Sequence, residues 1–188
     1  MSTARLSAVE PVKYRTIVAD PPLDIAAGPR SLHDPHEVTR RLTYQTMPVD
    51  DIAALPVSEL CHEDGAHLYL WTINKYVPDA YRIAAAWGFS PSTLLTWCKR
   101  PKGRGLGGAF GMSTEFVLFA RRGSVASTGH VDSTWYQWPR GPHSVKPEAF
   151  MDMVEQVSPG PYLELFARRN RLGWDTWVNE CLEHACVG

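Results

Sequence analysis

The tetrapeptide Asp20-Pro21-Pro22-Leu23 sets a carboxylate where an apolar run, Thr16-Ile17-Val18-Ala19, stops. Each proline fixes its φ and lacks an N–H, and each pushes the residue before it away from helix. A stiff, extended turn follows, with carbonyls expected to face few local donors and so to stay open to a ligand. A carboxylate beside a fixed carbonyl gives two acceptors spaced to receive one –NH2, which suits an amine that must be held and stripped of a proton. The exocyclic amine of adenine is a demanding case, because its lone pair is delocalised into the ring. Two acceptors can turn it out of conjugation and stabilise the positive charge that grows as it attacks a methyl group. Asp and Pro are also ordinary turn residues, so the tripeptide alone also reads as a strand-ending turn with a solvated Asp.

Two further stretches carry binding groups. In "HSVKPEAFMDMVEQVSPGPYLELFARR", His143 to Arg169, Lys146 precedes a helix start at Pro147, and Glu164 lies in the strand that follows. A lysine there can pair with a ligand carboxylate. An acidic residue at a strand end can fix ribose hydroxyls or an ammonium, as in dinucleotide-binding folds. Taken singly, either is more often a surface charge. In "GWDTWVNE", Gly173 to Glu180, Asn179 and Glu180 stand near Trp174 and Trp177, a reasonable clamp for an adenine ring and also ordinary core composition.

The densest basic run, Lys99, Arg100, Lys102 and Arg104, surrounds the glycine-rich "GRGLGGAFG". It lacks the Lys-Ser/Thr of a phosphate loop and opens no helix, so a mobile substrate loop making phosphate contacts is the sharper expectation, against a solvated loop. "HVDSTWYQWPRGPH", which contains Trp135, is aromatic and basic and could line the same groove. His33, Asp34 and His36 are loosely spaced, with no converging third site, so no metal is expected.

These groups need elements to position them. Apolar, β-branched and aromatic runs predict strands over Tyr14 to Ala19, His67 to Thr72, Thr93 to Lys99, Thr114 to Arg121 and Tyr162 to Ala167. Several are apolar nearly throughout, as central strands covered on both faces are. Helices are predicted over Pro48 to Leu55, with Asp50 and Asp51 in the first turn, over Val77 to Trp87 and over Pro147 to Val157. Strands alternating with helices predict a mostly parallel α/β sheet with helices on both faces. Ligands of such sheets bind beyond the carboxyl ends of the strands. The long irregular stretches Leu23 to Thr43 and Arg100 to Ser113 fall just past strand ends, and Gly123 to His143 is a third; loops so long are usually functional or mobile.

The 188 residues suffice for one domain with a sizeable core, taken as 1–188 with its centre at about 14–181. Nineteen Lys+Arg against twenty Asp+Glu argue against a strongly basic surface for non-specific duplex binding, without excluding a local basic groove. Cys61, Cys98, Cys181 and Cys186 form no C-x-x-C pair and read as free thiols of a reducing cytosol. The first residues, "MSTARLSAVEPVKYR", hold no apolar signal core, and no run approaches membrane-spanning length. A cytoplasmic location, without membrane contact, is the expectation.

Taken together, "ADPPLDI", "YQTMPVDDIAALPV", "HLYLWT", "WGF", "HSVKP" and "LELFARR…GWDTWVNE", in that order, resemble the adenine N(6)-methyltransferase family typified by the catalytic subunit of the messenger-RNA N(6)-adenosine methyltransferase. The resemblance covers about residues 14–181 and implies a Rossmann-like class I methyltransferase that uses S-adenosylmethionine. The Asp-Pro-Pro motif precedes the cofactor motif, which implies the permuted order of amino-methyltransferases. The resemblance carries over residue by residue. Asp20, Pro21 and Pro22 match the catalytic motif, with Asp20 expected to touch the cofactor as well, and Lys146 matches the lysine that meets the cofactor's carboxylate. Glu164, Arg168 and Asn170 match positions around its ribose. Asn179 and Glu180 match the pair near its adenine, where the family often has an amide at the second position. Tyr44 matches an aromatic in the loop after the catalytic strand. Leu23 departs from the family, which has an aromatic there to stack on the target base; such stacking is worth about 1–3 kcal/mol. The substrate implied is adenine in DNA or RNA, with Tyr44 or Trp135 as other sources of an aromatic and Lys102 and Arg104 as phosphate contacts. Leu23 keeps open a small-molecule amine, or a catalytically weak partner subunit. A homodimer and a heterodimer both stay open.

Overall fold

The computed structural model describes residues 12–24, 46–99, 109–139 and 146–177. Among them, seven strands form one sheet: β1 (Thr16–Ala19), β2 (Gly65–Thr72), β3 (Ser90–Cys98), β4 (Thr114–Gly123), β5 (Trp135–Tyr136), β6 (Tyr162–Leu165) and β7 (Trp174–Trp177). Their order across the sheet is β5-β3-β4-β2-β1-β6-β7. Every pairing is parallel except those of β4, which runs against both β2 and β3. The sheet is therefore mixed and mostly parallel, compatible with a Rossmann-like methyltransferase. No described helix separates β3 from β4, and the chain returns antiparallel.

The five strands read from sequence are present with small changes of boundary. β5 and β7 went unmarked: β5 has two residues, and the Trp-Asp-Thr-Trp of β7 gives little apolar signal. The three predicted helices are α1 (Val49–Ala53), α2 (Val77–Ala86) and α3 (Glu148–Val157), joined by short 3-10 turns at Val57–Leu60 and Asn74–Tyr76. Gly88, just past α2, takes the positive φ of 80° that a helix-ending glycine allows.

Alternation along the strands sends side chains to two cores. Ile17 and Ala19 of β1, Leu68 and Leu70 of β2 and Leu118 of β4 join Ile52 of α1 and Ile83 of α2 on one face. Val18, Tyr69, Trp71 and Val117 join Phe150, Met151 and Val154 of α3 on the other. All eight residues of β2 are buried, as a strand covered on both faces requires. β1 lies between β2 and β6, so its last residue, Ala19, delivers Asp20 to the middle of the sheet's carboxyl edge. Among the described residues no helix is long and apolar enough to cross a membrane.

Candidate active site

Asp20 follows β1 directly and its side chain is 18% exposed. Lys146 stands two residues before α3, and its ammonium lies 3.1 Å from Asp20 Oδ1. The same ammonium is 3.1 Å from Glu115 Oε2 on β4 and 4.6 Å from the centre of the Trp71 ring. Glu115 Oε1 in turn accepts from Lys99, whose ammonium covers the Trp97 ring at 4.7 Å. Positive and negative groups thus alternate, Lys99–Glu115–Lys146–Asp20, above two tryptophans that meet edge to face. Their charges sum to zero, which limits what it takes to hold four ions in a half-dry setting.

The electrostatics follow from that row. Burial alone would raise the Glu115 carboxyl, but the Lys146 and Lys99 ammonium groups outweigh it and hold Glu115 below its ordinary value. Burial would likewise lower Lys146, and Asp20 and Glu115 outweigh it, so Lys146 stays charged. Glu164 differs: burial, against the pull of Arg169 and with help from Asp20, pushes its carboxyl up to about 7.

A cleft opens here, lined by Asp20, Lys146, Met151, Glu164, Phe166, Arg168 and Arg169. Phe166 turns the chain out of β6 with φ at 62°, unusual for a bulky residue. Its N–H donates to the Trp177 carbonyl at 2.9 Å and its ring meets Trp177 edge-on, so the turn is held from β7. Strained backbone of this kind gathers at functional sites.

Four of the expected residues, Asp20, Lys146, Glu164 and Arg168, therefore meet in one cleft. Asn170 is exposed two positions beyond Arg168. Trp135 is 58% exposed on β5, beside the end of β3, and does not line the cleft. Leu23 is 7% exposed and packs in the α1/α2 core, turned into the protein. Tyr44, Lys102, Arg104, Asn179 and Glu180, with the glycine-rich 105–108 and His33 and His36, lie outside the described residues.

One expectation is corrected. The proline carbonyls do meet donors: the local Leu23 N–H reaches the Pro21 carbonyl at 2.8 Å, and Met47 N–H, distant in the chain, reaches that of Pro22 at 2.9 Å. Each carbonyl keeps a second lone pair, so Pro21 can accept a further hydrogen bond but is not an unoccupied acceptor. Sequence reasoning also missed Glu115, and it named Lys99 only as part of a basic run. The available signal was a lone acid at the head of a strand, directly before the apolar run Phe116 to Ala120.

The MT-A70 family model matches residues 14–180. The chain belongs to the MT-A70 family. It is similar to the type II methyltransferase M.MunI of a Mycoplasma species, at 29% identity over 88% of this chain and 76% of that protein. It is also similar to a putative N(6)-adenosine-methyltransferase MT-A70-like of Medicago truncatula, at 26% identity over 89% of this chain. This chain spans about a quarter (26%) of that plant protein's length. The cleft just described lies wholly within the matched residues.

Proposed function

We propose that this MT-A70 protein transfers the methyl group of S-adenosylmethionine to the 6-amino group of adenine in DNA or RNA. The observation that carries this reading is the meeting of Asp20, Lys146 and Glu164 in one cleft at the carboxyl edge of the sheet. The donor set suits that cofactor: an ammonium for its carboxylate, acceptors for its hydroxyls and ammonium, and Met151 and Phe166 as apolar walls. Lys146, Glu164, Arg168 and Asn170 would hold it, with Asn179 and Glu180 toward its adenine. When bound, it supplies an electrophilic methyl group on sulfur.

The protein's own part is to hold and prepare the amine. Asp20 and the Pro21 carbonyl accept its two hydrogens and turn its lone pair out of conjugation. As the nitrogen gains positive charge, the Asp20 carboxylate stabilises it. Lys146 occupies Oδ1 of Asp20, but a carboxylate has about four lone-pair sites over its two oxygens. Lys146 also fixes the position of that carboxylate beside the cleft. The Asp-Pro-Pro strand precedes the Glu164 strand in the chain, which supports the permuted motif order within a single methyltransferase domain. A duplex target would have to be flipped out.

A small-molecule amine is the second reading, favoured by the burial of Leu23, which leaves no base-stacking surface at that position. The test is methylation with labelled S-adenosylmethionine of single- and double-stranded DNA and RNA, read by nucleoside mass spectrometry. N(6)-methyladenine from at least one polymer is the expected product. Methylation of free amines but of no polymer would transfer the conclusion to the second reading.

A further inference from the structure

We propose that Arg171 is a positioning residue for the cofactor cleft, fastening the segment that carries Arg168 and Arg169 to the acidic face of α3. Glu148, Asp152 and Glu155 recur along α3 at helical spacing and so share one face. The Arg171 guanidinium engages all three. Its Nε and Nη2 fork onto the two oxygens of Glu155 at 2.8 and 2.9 Å. Its Nη1 reaches Glu148 at 2.8 Å and its Nη2 also reaches Asp152 at 2.7 Å. Trp174 Nε1 braces the same Glu155 at 2.6 Å.

The connection continues into the cleft. Glu148 is shared with Arg169, and Arg169 also donates to the Lys146 carbonyl at 3.3 Å. Arg171, Glu148, Arg169 and Lys146 thus form one path between the two walls, although Arg171 does not line the cleft itself. Isolated exposed ion pairs contribute little, but a forked arginine within a network is the exception. A lysine keeps the charge and cannot reproduce the fork.

Arg171 also acts through charge. The groups that act on Glu164 are Arg169, Asp20, Glu148 and Arg171, and the two arginines favour its ionised form. Without Arg171, Asp20 and Glu148 are less opposed, and Glu164 ionises at a higher pH. This inference rests on reading the cleft as the S-adenosylmethionine site, with ionised Glu164 accepting from ribose hydroxyls.

The test is calorimetric titration of the full chain with S-adenosylmethionine from about pH 6 to about pH 8.5, for wild type, Arg171→Gln and Arg171→Lys. Arg171→Gln is expected to weaken binding by about tenfold and to move the pH at which binding strengthens upward. Arg171→Lys is expected to weaken binding while leaving that pH in place, which a merely structural loss would not separate. Wild-type affinity and pH dependence in Arg171→Gln would overturn the proposal. If Arg171→Gln does not fold, wild-type affinity in Arg171→Lys overturns it instead. Failure of the wild type itself to bind at any pH would overturn the cofactor reading, and this inference with it.

Discussion

The two ends of one sheet hold polar clusters of opposite kinds. At the carboxyl edge, four ionised side chains alternate in sign beside a cleft. At the other end, His67 on β2 meets Ser158 Oγ through Nδ1 at 2.8 Å and the Val125 carbonyl through Nε2 at 3.2 Å. Tyr69 OH meets the same Ser158 Oγ at 2.7 Å. Burial lowers the His67 pKa, so that cluster is neutral at physiological pH, and both His67 and Ser158 are fully buried. Neutral groups that satisfy one another and reach no solvent serve the fold. Charges held half-dry beside an opening retain electrostatic strength for a ligand. The carboxyl edge is therefore the end to disturb for chemistry, and the His67 end the one to disturb for stability alone.

The largest effect that would break this contrast is at Asp20. Asp20→Ala is expected to lower the methylation rate by at least about 10²–10³-fold, measured at a temperature where the variant is folded, because Lys146 keeps only Glu115 as its carboxylate partner. A rate near wild type in a folded variant would remove Asp20 from the mechanism. Lys146→Met should abolish measurable cofactor binding. It should also cost about 3 kcal/mol in denaturant unfolding, because Asp20 and Glu115 lose their shared ammonium. Ser158→Ala tests the opposite end: about 1–3 kcal/mol of stability lost, and cofactor affinity unchanged at a temperature where the variant is folded.

The smallest effect is at Glu164, and its sign can be worked out. Its folded-state pKa of about 7 stands above the ordinary 4.5, so the protonated acid favours the folded chain. That contribution is fully present below about 4.5 and is lost as pH rises through about 7. Cofactor binding should run the other way, strengthening as Glu164 ionises. Glu164→Gln is expected to flatten both profiles, measured by thermal melts and by calorimetry. Unaltered profiles would place the titrating group elsewhere.

Much of this arrangement was legible in the sequence, and the gaps have physical causes. The central strands announce themselves because burial on both faces demands apolar runs, and Asp20 is conspicuous because it ends one. Lys146 and Glu164 are legible through helix and strand boundaries. Glu115 is not: its partner lies 31 residues away. Only the antiparallel return of β4 brings it to the carboxyl edge beside Lys146. The Pro21 carbonyl was misjudged because the donor it meets is two residues on, in a tight turn that proline content alone does not specify. β5 and β7 are edge strands of two and four residues, too short for periodicity to show. Arg171 reads as one more cation in an arginine-rich segment until α3 presents three acids to it.

Hydrogen exchange with and without S-adenosylmethionine tests the central claim most directly, because it reads both ends of the sheet in one sample. Added protection is expected around 18–23, 146–151 and 162–169, with little change at His67, Val125 and Ser158. Protection centred on His67 and Ser158, or none around Asp20 and Lys146 at saturating cofactor, would contradict that claim.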